Sequence, residues 1–402
     1  MLYIVVIFCL IIFSYRYDFR NQKKGKREAY FFCLLIFILI AGLRYRLGVD
    51  SIRYESQYSD MPTFSELFSF DFSSVRADPG YVILNSIARS FSDSFVTMQI
   101  FHAAFVNTAV FAFFKENTTK IFTAVFLYFV FPFMYIYFMC EVMRESCAVA
   151  CFLMGWKHFK KKLWLKYYFW TIAAVLCHAS AIVTLFLPLL YLPGLRALFV
   201  LDKRILLILI ITFFIGEGIN VWLFDYIQTL SLLDSLQSKA AYYAGTAYAD
   251  STNINIKGLI SFIIRILYPW SAFSLLCKND KRIYNNNHEL EFILSICFIF
   301  TIMSIPIMLL YRYTNYFYPF AIIAISNGLF QPIFLRHKKV RLSFITRFLI
   351  LFPLIGLSFL PLFKTIPGTK LSDSMRYYPY SSCIFPQKDQ NREKVFSYYN
   401  AW

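Results

Sequence analysis

The chain is a succession of apolar runs, some long enough to cross a bilayer as a helix and others, of 12–15 residues, suggesting re-entrant or broken helices. They cover approximately residues 1–15, 29–43, 96–114, 121–139, 142–156, 167–178, 179–193, 205–223, 258–276, 290–310, 314–333 and 348–362. Hydrophobic residues fill 59% of the 402 positions and charged residues only 16%. Soluble domains average about 45–50% and about 25%, so a soluble protein of this size has nowhere to bury such a surplus. Disordered chains are poor in aromatic residues, whereas 20% of these residues are Phe, Trp or Tyr. The pattern therefore predicts an all-α, polytopic transmembrane helical bundle. At roughly 20 apolar residues per span it has about twelve spans, within a range of roughly ten to fourteen.

Residues 1–13 follow no basic stretch and precede no small-x-small cleavage pattern, so they read as a first span rather than a cleaved signal peptide. Short Lys-rich loops lie at 16–27, 115–120, 157–166, 196–204, 278–282 and 336–347. The positive-inside rule places them in the cytoplasm. The opposite, outer face then carries 44–95, with a re-entrant or interfacial helix near 81–92, the corner at 140–144, the 224–257 loop and the 363–402 tail. Arg rather than Lys dominates there, and its planar fork suits carboxylate or phosphate. Residues 167–193 are long for one span and short for two. A break at Cys177-His178-Ala179-Ser180 is expected; a single tilted helix would reverse every loop after it.

The whole chain, 1–402, reads as one membrane domain. Its net charge of +17 is largely topogenic, and no nucleic-acid motif accompanies it. The nine Cys form no CxxC pair and fall mostly inside apolar runs, which argues against a zinc site or disulfide scaffold.

Five constellations break the apolar pattern. Arg44-Tyr45-Arg46-Leu47-Gly48-Val49-Asp50, with Arg53 and Tyr54, can form a bend holding a cationic pocket and a carboxylate; alternatively the Arg residues snorkel beside an Asp counter-ion. Asp78-Pro79-Gly80-Tyr81 is a turn signal in which Asp78 either caps the next helix or acts in the site. Glu141, Arg144 and Glu145 are ionisable residues at membrane depth, costly there unless functional or mutually paired. His178-Ala179-Ser180 places a titratable ring in an apolar run, either as a base or as a backbone-bonded structural His. Arg312, with Tyr311, Tyr313, Tyr316 and Phe317, sits at a span edge where aromatics form ordinary belts but also stack on sugars. His102 stands alone in a span and reads as structural.

In order and spacing these motifs resemble the EpsG family of bacterial polysaccharide polymerases, akin to Wzy-type O-antigen polymerases. The resemblance rests on Arg44-Tyr-Arg-x-x-Gly48-x-Asp50 with Tyr54, Pro79-Gly80-Tyr81 with Leu84-Asn85, Met143-Arg144 with Ala148, His178-x-Ser180-Ala181, and Arg312 with Tyr316-Phe317. Asp78 stands where the family commonly has Glu, so the carboxylate is kept one methylene shorter.

The resemblance implies a relative of the C-type membrane glycosyltransferases. Its site would face the periplasm or outside of the bacterial cytoplasmic membrane. Its substrates would be undecaprenyl-diphosphate-linked oligosaccharide units, joined into O-antigen, capsule or exopolysaccharide. On this reading Asp50, His178 or Asp78 serves as base. Arg44, Arg46, Arg144 and Arg312, with Tyr54, Tyr81 and Tyr313, bind diphosphate and sugar. No cofactor and no metal are called for. A flippase and a chain-length regulator of the same pathway are the expected protein partners, beside the bilayer itself. A lipid-linked oligosaccharide flippase and a membrane O-acyltransferase are the competing readings. The first would need access to both faces, and the second a paired His-Asp or Asn/His arrangement that the sequence lacks.

Overall fold

The computed structural model describes residues 2–75, 77–130, 134–192, 288–304, 310–330, 349, 365–366 and 369–400. The described residues are helical, with two isolated bridges (Arg44 to Ser382, Thr365 to Ser372) in place of any sheet. The chain divides into two compact units: 1–187 with 325–330 and 344–402, and 188–324 with 331–343.

In the first unit the helices are α1 (Leu2–Phe13, continued as a π-helix over Ser14–Phe19), α2 (Lys26–Gly42), α3 (Val49–Tyr58), α4 (Pro79–Arg89), α5 (Phe95–Asn117), α6 (Ile121–Val130), α7 (Met134–Cys140), α8 (Met143–Lys160), α9 (Trp164–Cys177) and α10 (Ile182–Leu185). In the second unit lie α11 (His288–Met303) and most of α12 (Tyr311–Phe330). There Phe300 packs on Tyr313 and Phe317, with ring centroids 5.4 and 5.9 Å apart. The tail of the first unit ends in α13 (Gln390–Asn400).

An aromatic core fixes the first unit. Phe37 of α2 lies 5.3 Å from Phe111 of α5, 5.5 Å from Phe129 of α6 and 4.6 Å from Tyr135 of α7. Around this core the helices keep large apolar side chains outward: Ile4 and Phe8 on α1, Phe31 and Leu35 on α2, Leu165 and Phe169 on α9. Exposed apolar surface on successive helices would drive aggregation in water, and a bilayer is the solvent in which it is stable. The chain is an integral membrane protein.

Among the described residues two helices are long and apolar enough to cross: Leu2–Phe19 and Phe95–Asn117, with a third if α6 and α7 act as one bent span. The described helices thus account for fewer spans than the expected twelve. α2 and α9 have only 17 and 14 residues. The apolar runs 205–223 and 258–276, the 224–257 loop and nearly all of 348–362 lie outside the described residues. α4 stands where a helix near 81–92 was expected. Its 11 residues rise only ~16 Å, short of a ~30 Å hydrocarbon core. It buries Tyr81, Val82, Asn85, Ser86 and Ala88 against α5 and α9.

Polar groups gather at two ends of this unit. At one end Lys120 donates to the Asp18 carbonyl and to Asn21 Oδ1, and Lys160 donates to Asn117 Oδ1 at 2.7 Å. The Lys-rich loops 16–27, 115–120 and 157–166 therefore meet there. At the other end meet the turns at 43–48, 78–80, 140–144 and 177–180. The last is a reversal: His178 is extended (φ −162°, ψ 127°), and the Tyr167 hydroxyl donates to the Thr184 carbonyl across the fold-back.

Two glycines make the second end possible. Gly48 has φ +84° and ψ 142°, a region nearly closed to other residues. A Cβ on it would stand 2.5 Å from the Cys140 carbonyl oxygen. A Cβ on Gly80 would lie 2.9 Å from the backbone of Leu176 and Cys177. The turn carrying Asp78 thus lies directly on the end of α9. Gly48→Ala is expected to cost about 1–3 kcal/mol, seen as a lower melting temperature of the detergent-purified protein; an unchanged melting temperature would show that the turn accepts a side chain.

Candidate functional site

α3 is a short, polar helix whose two ends are satisfied by side chains from elsewhere. At its N-terminus the Glu141 carboxylate accepts the Val49 N–H at 3.2 Å and the Asp50 N–H at 3.3 Å. At its C-terminus Arg89 of α4 donates to the Tyr58 carbonyl at 2.7 Å and to the Ser59 carbonyl. An anion at the positive end and a cation at the negative end of a helix both stabilise it. Glu141 also accepts from Arg376 Nη1 at 3.2 Å and from the Tyr377 hydroxyl at 2.8 Å, and its backbone carbonyl accepts from Tyr54. With 5% exposure it is a buried charge, tolerable because its oxygens are all engaged.

This clamp sets the neighbours of Arg144, which leads α8. Arg144 Nη1 lies 3.3 Å from Asp78 Oδ2. Tyr54 of α3 and Tyr81 of α4 stand close to the same guanidinium, their rings 5.7 Å apart. Asp50 stands near the Tyr54 phenol. Asp78 precedes Pro79 at the start of α4, but its side chain makes no cap bond to that helix. Its own carbonyl accepts from Tyr81 and Val82, and the carboxylate turns to Arg144 instead. The Arg144 and Asp78 side chains are 32% and 27% exposed, so this pair meets solvent where Glu141 does not.

The remaining residues singled out from sequence have different settings. Arg44 is 1% exposed; it donates to the Ala41 carbonyl at 2.5 Å and to the Met143 sulfur at 3.3 Å. Arg46 makes a two-pronged pair with Glu393 of α13, at 2.8 and 2.7 Å. His178 accepts the Ser180 N–H at Nδ1, with the Ser180 hydroxyl 2.6 Å away; the neutral ring therefore carries its proton on Nε2. Arg312 and Tyr313 lie in the first turn of α12 and belong to the second unit.

Four contributions escape the sequence. Glu141 is a trans helix cap rather than a partner of Arg144. Arg376 and Tyr377 come from the tail, where no periodic pattern marks them. Arg89 closes α3. His102, seemingly alone in its span, bonds Ser146 Oγ at 2.8 Å and the Met143 carbonyl at 3.1 Å, steadying the turn that presents Arg144. A separate cavity of about 290 Å³ between α5 and α8 runs toward Glu116 and Lys157 at the Lys-rich end, away from this cluster.

A family model described as the EpsG family matches residues 29–382. No curated protein and no solved structure matches the chain.

Glu141→Ala would leave two helix N–H groups, Arg376 Nη1 and the Tyr377 hydroxyl without their acceptor, although Arg376 keeps Asp373, at a cost of about 1–3 kcal/mol. Glu141→Gln keeps an acceptor and is expected to lose less. Thermal unfolding of both variants in detergent checks the order; equal stability of Ala and wild type would show that the clamp is dispensable.

Proposed function

The chain belongs to the EpsG family, whose members are Wzy-type polymerases, and from that premise we propose that it joins undecaprenyl-diphosphate-linked oligosaccharide repeat units. The reaction takes place on the outer face of the cytoplasmic membrane. The growing chain is the donor: the bond from its anomeric carbon to the diphosphate oxygen breaks. A hydroxyl of the acceptor unit forms the new glycosidic bond and gives up its proton to a base. Undecaprenyl diphosphate leaves as an anion.

The observation that supports this reading best is the solvent-reaching Arg144–Asp78 pair, flanked by Tyr54 and Tyr81 at the Arg-bearing end of the first unit. A departing diphosphate needs positive charge held in place before the bond breaks, and Arg144 supplies it. Arg46 is a further diphosphate contact. Buried Arg44 shapes the turn beneath them. Asp50 and His178 are the first candidates for the base, with Asp78 third because it already neutralises Arg144. Tyr54 and Tyr81, buried behind Arg144, hold its guanidinium in place. The product is O-antigen, capsule or exopolysaccharide, made alongside a flippase and a chain-length regulator.

Gels of surface polysaccharide from cells with and without the protein test the assignment. Deletion is expected to leave one repeat unit on the lipid anchor and to remove the ladder. Loss of the single unit too would place the protein earlier, as a flippase. Arg144→Gln is expected to abolish the ladder at normal protein levels, and a normal ladder from that variant would overturn the role of Arg144.

A further inference from the structure

α13 lies beyond the residues that match the family, which end at 382. Buried contacts anchor it. Arg392, 1% exposed, donates to the carbonyls of Met375 and Pro379, and Val395 and Phe396 are buried. Tyr399 donates to Asp373 Oδ1 at 2.6 Å. None of these contacts needs Glu393.

Glu393 instead pairs directly with Arg46, both half-buried; the two side chains are 34% and 21% exposed. Its two oxygens accept Arg46 Nε and Nη2, the fork geometry that phosphate oxygens also take. The bond from Arg46 holds the Glu393 carboxyl below the usual carboxylate range, and Lys388 and Arg392 stand near enough to contribute. A displaced Glu393 therefore keeps cations beside it. Arg46 itself is held with φ +48° in the turn between Gly42 and α3. Tyr45 of the same turn is fixed by its N–H to the Ser381 carbonyl at 2.9 Å.

We infer that Glu393 is a resident counter-ion on an anion seat: a phosphate group of the lipid-linked substrate takes its place on Arg46, and α13 thereby competes with substrate for the site. This rests on the polymerase reading, since it takes the anion to be the lipid diphosphate. It adds a tail residue outside the family-matched region that sets how tightly substrate is held.

The test is binding of undecaprenyl diphosphate to the purified full-length protein in nanodiscs, with uncharged undecaprenol and inorganic pyrophosphate as comparison probes. Removing an exposed competing ion pair is worth about fivefold in affinity. Glu393→Gln is expected to tighten undecaprenyl diphosphate by about that factor and to leave undecaprenol unchanged. Arg46→Gln is expected to weaken it, and adding Glu393→Gln to that variant should change nothing further. The reversed pair, Arg46→Glu with Glu393→Arg, should keep the tail resistant to protease while binding stays weak. A response to pyrophosphate alone would place the anion's source outside the lipid and overturn the assignment to lipid diphosphate. Unchanged or weaker binding by Glu393→Gln would make Glu393 a structural tie and overturn the inference. No polymer is measured, so failure here is distinct from failure of the polymerase reading.

Discussion

A buried carboxylate organises the Arg-bearing end of the first unit. Glu141 sits in the corner between α7 and α8 and accepts from the α3 N-terminus, Arg376 and Tyr377 together. A charge in that position is costly unless several donors converge on it, and convergence is what fixes the geometry. Three chain segments far apart in sequence (the Gly48 turn, the 140–144 corner and the tail) are drawn to one point. Without it α3 has an uncapped N-terminus, and Arg376 is left with Asp373 of the tail itself as its carboxylate partner.

Short helices leave a large share of their backbone groups without intrahelical partners. α3 and α4 are such helices, and they carry Asp50, Tyr54, Tyr81 and the turn of Asp78. Both ends of α3 are closed by side chains, by Glu141 and Arg89, so the cluster around Arg144 is held without a sheet. Arg144 stays open to solvent because its counter-ion, Asp78, stands at the rim and is not enclosed as Glu141 is.

Hydropathy and charge are local signals, and what they encode was legible. The helical class, the Lys-rich loops that share one end, the bend at Gly48, the helix after Pro79-Gly80 and the reversal at His178 all follow from residues near in sequence. The role of Asp78 was legible only as two alternatives, a cap or a site residue, and its ion pair with Arg144 was not legible, because the partner is chosen by tertiary position. α3 was not legible as a helix: its sequence Val49–Tyr58 is polar, and its stabilising carboxylate lies 91 residues away. Nor was the docking of the tail, since Arg376, Arg392 and Glu393 act through partners chosen by tertiary position. Glu141 and Glu145 were weighed from sequence as partners of Arg144, yet Glu141 turns to α3 and Arg144 pairs with the distant Asp78.

On the proposed function, this end of the molecule makes a glycosidic bond at the expense of a lipid diphosphate. The most direct measurement uses purified protein in liposomes loaded with one lipid-linked repeat unit, with products resolved by mass spectrometry. The account requires lipid-linked dimers and longer chains, with one undecaprenyl diphosphate released for each bond formed. Repeat units that cross the liposome membrane without lengthening, or chains that lengthen without release of the lipid diphosphate, would contradict it.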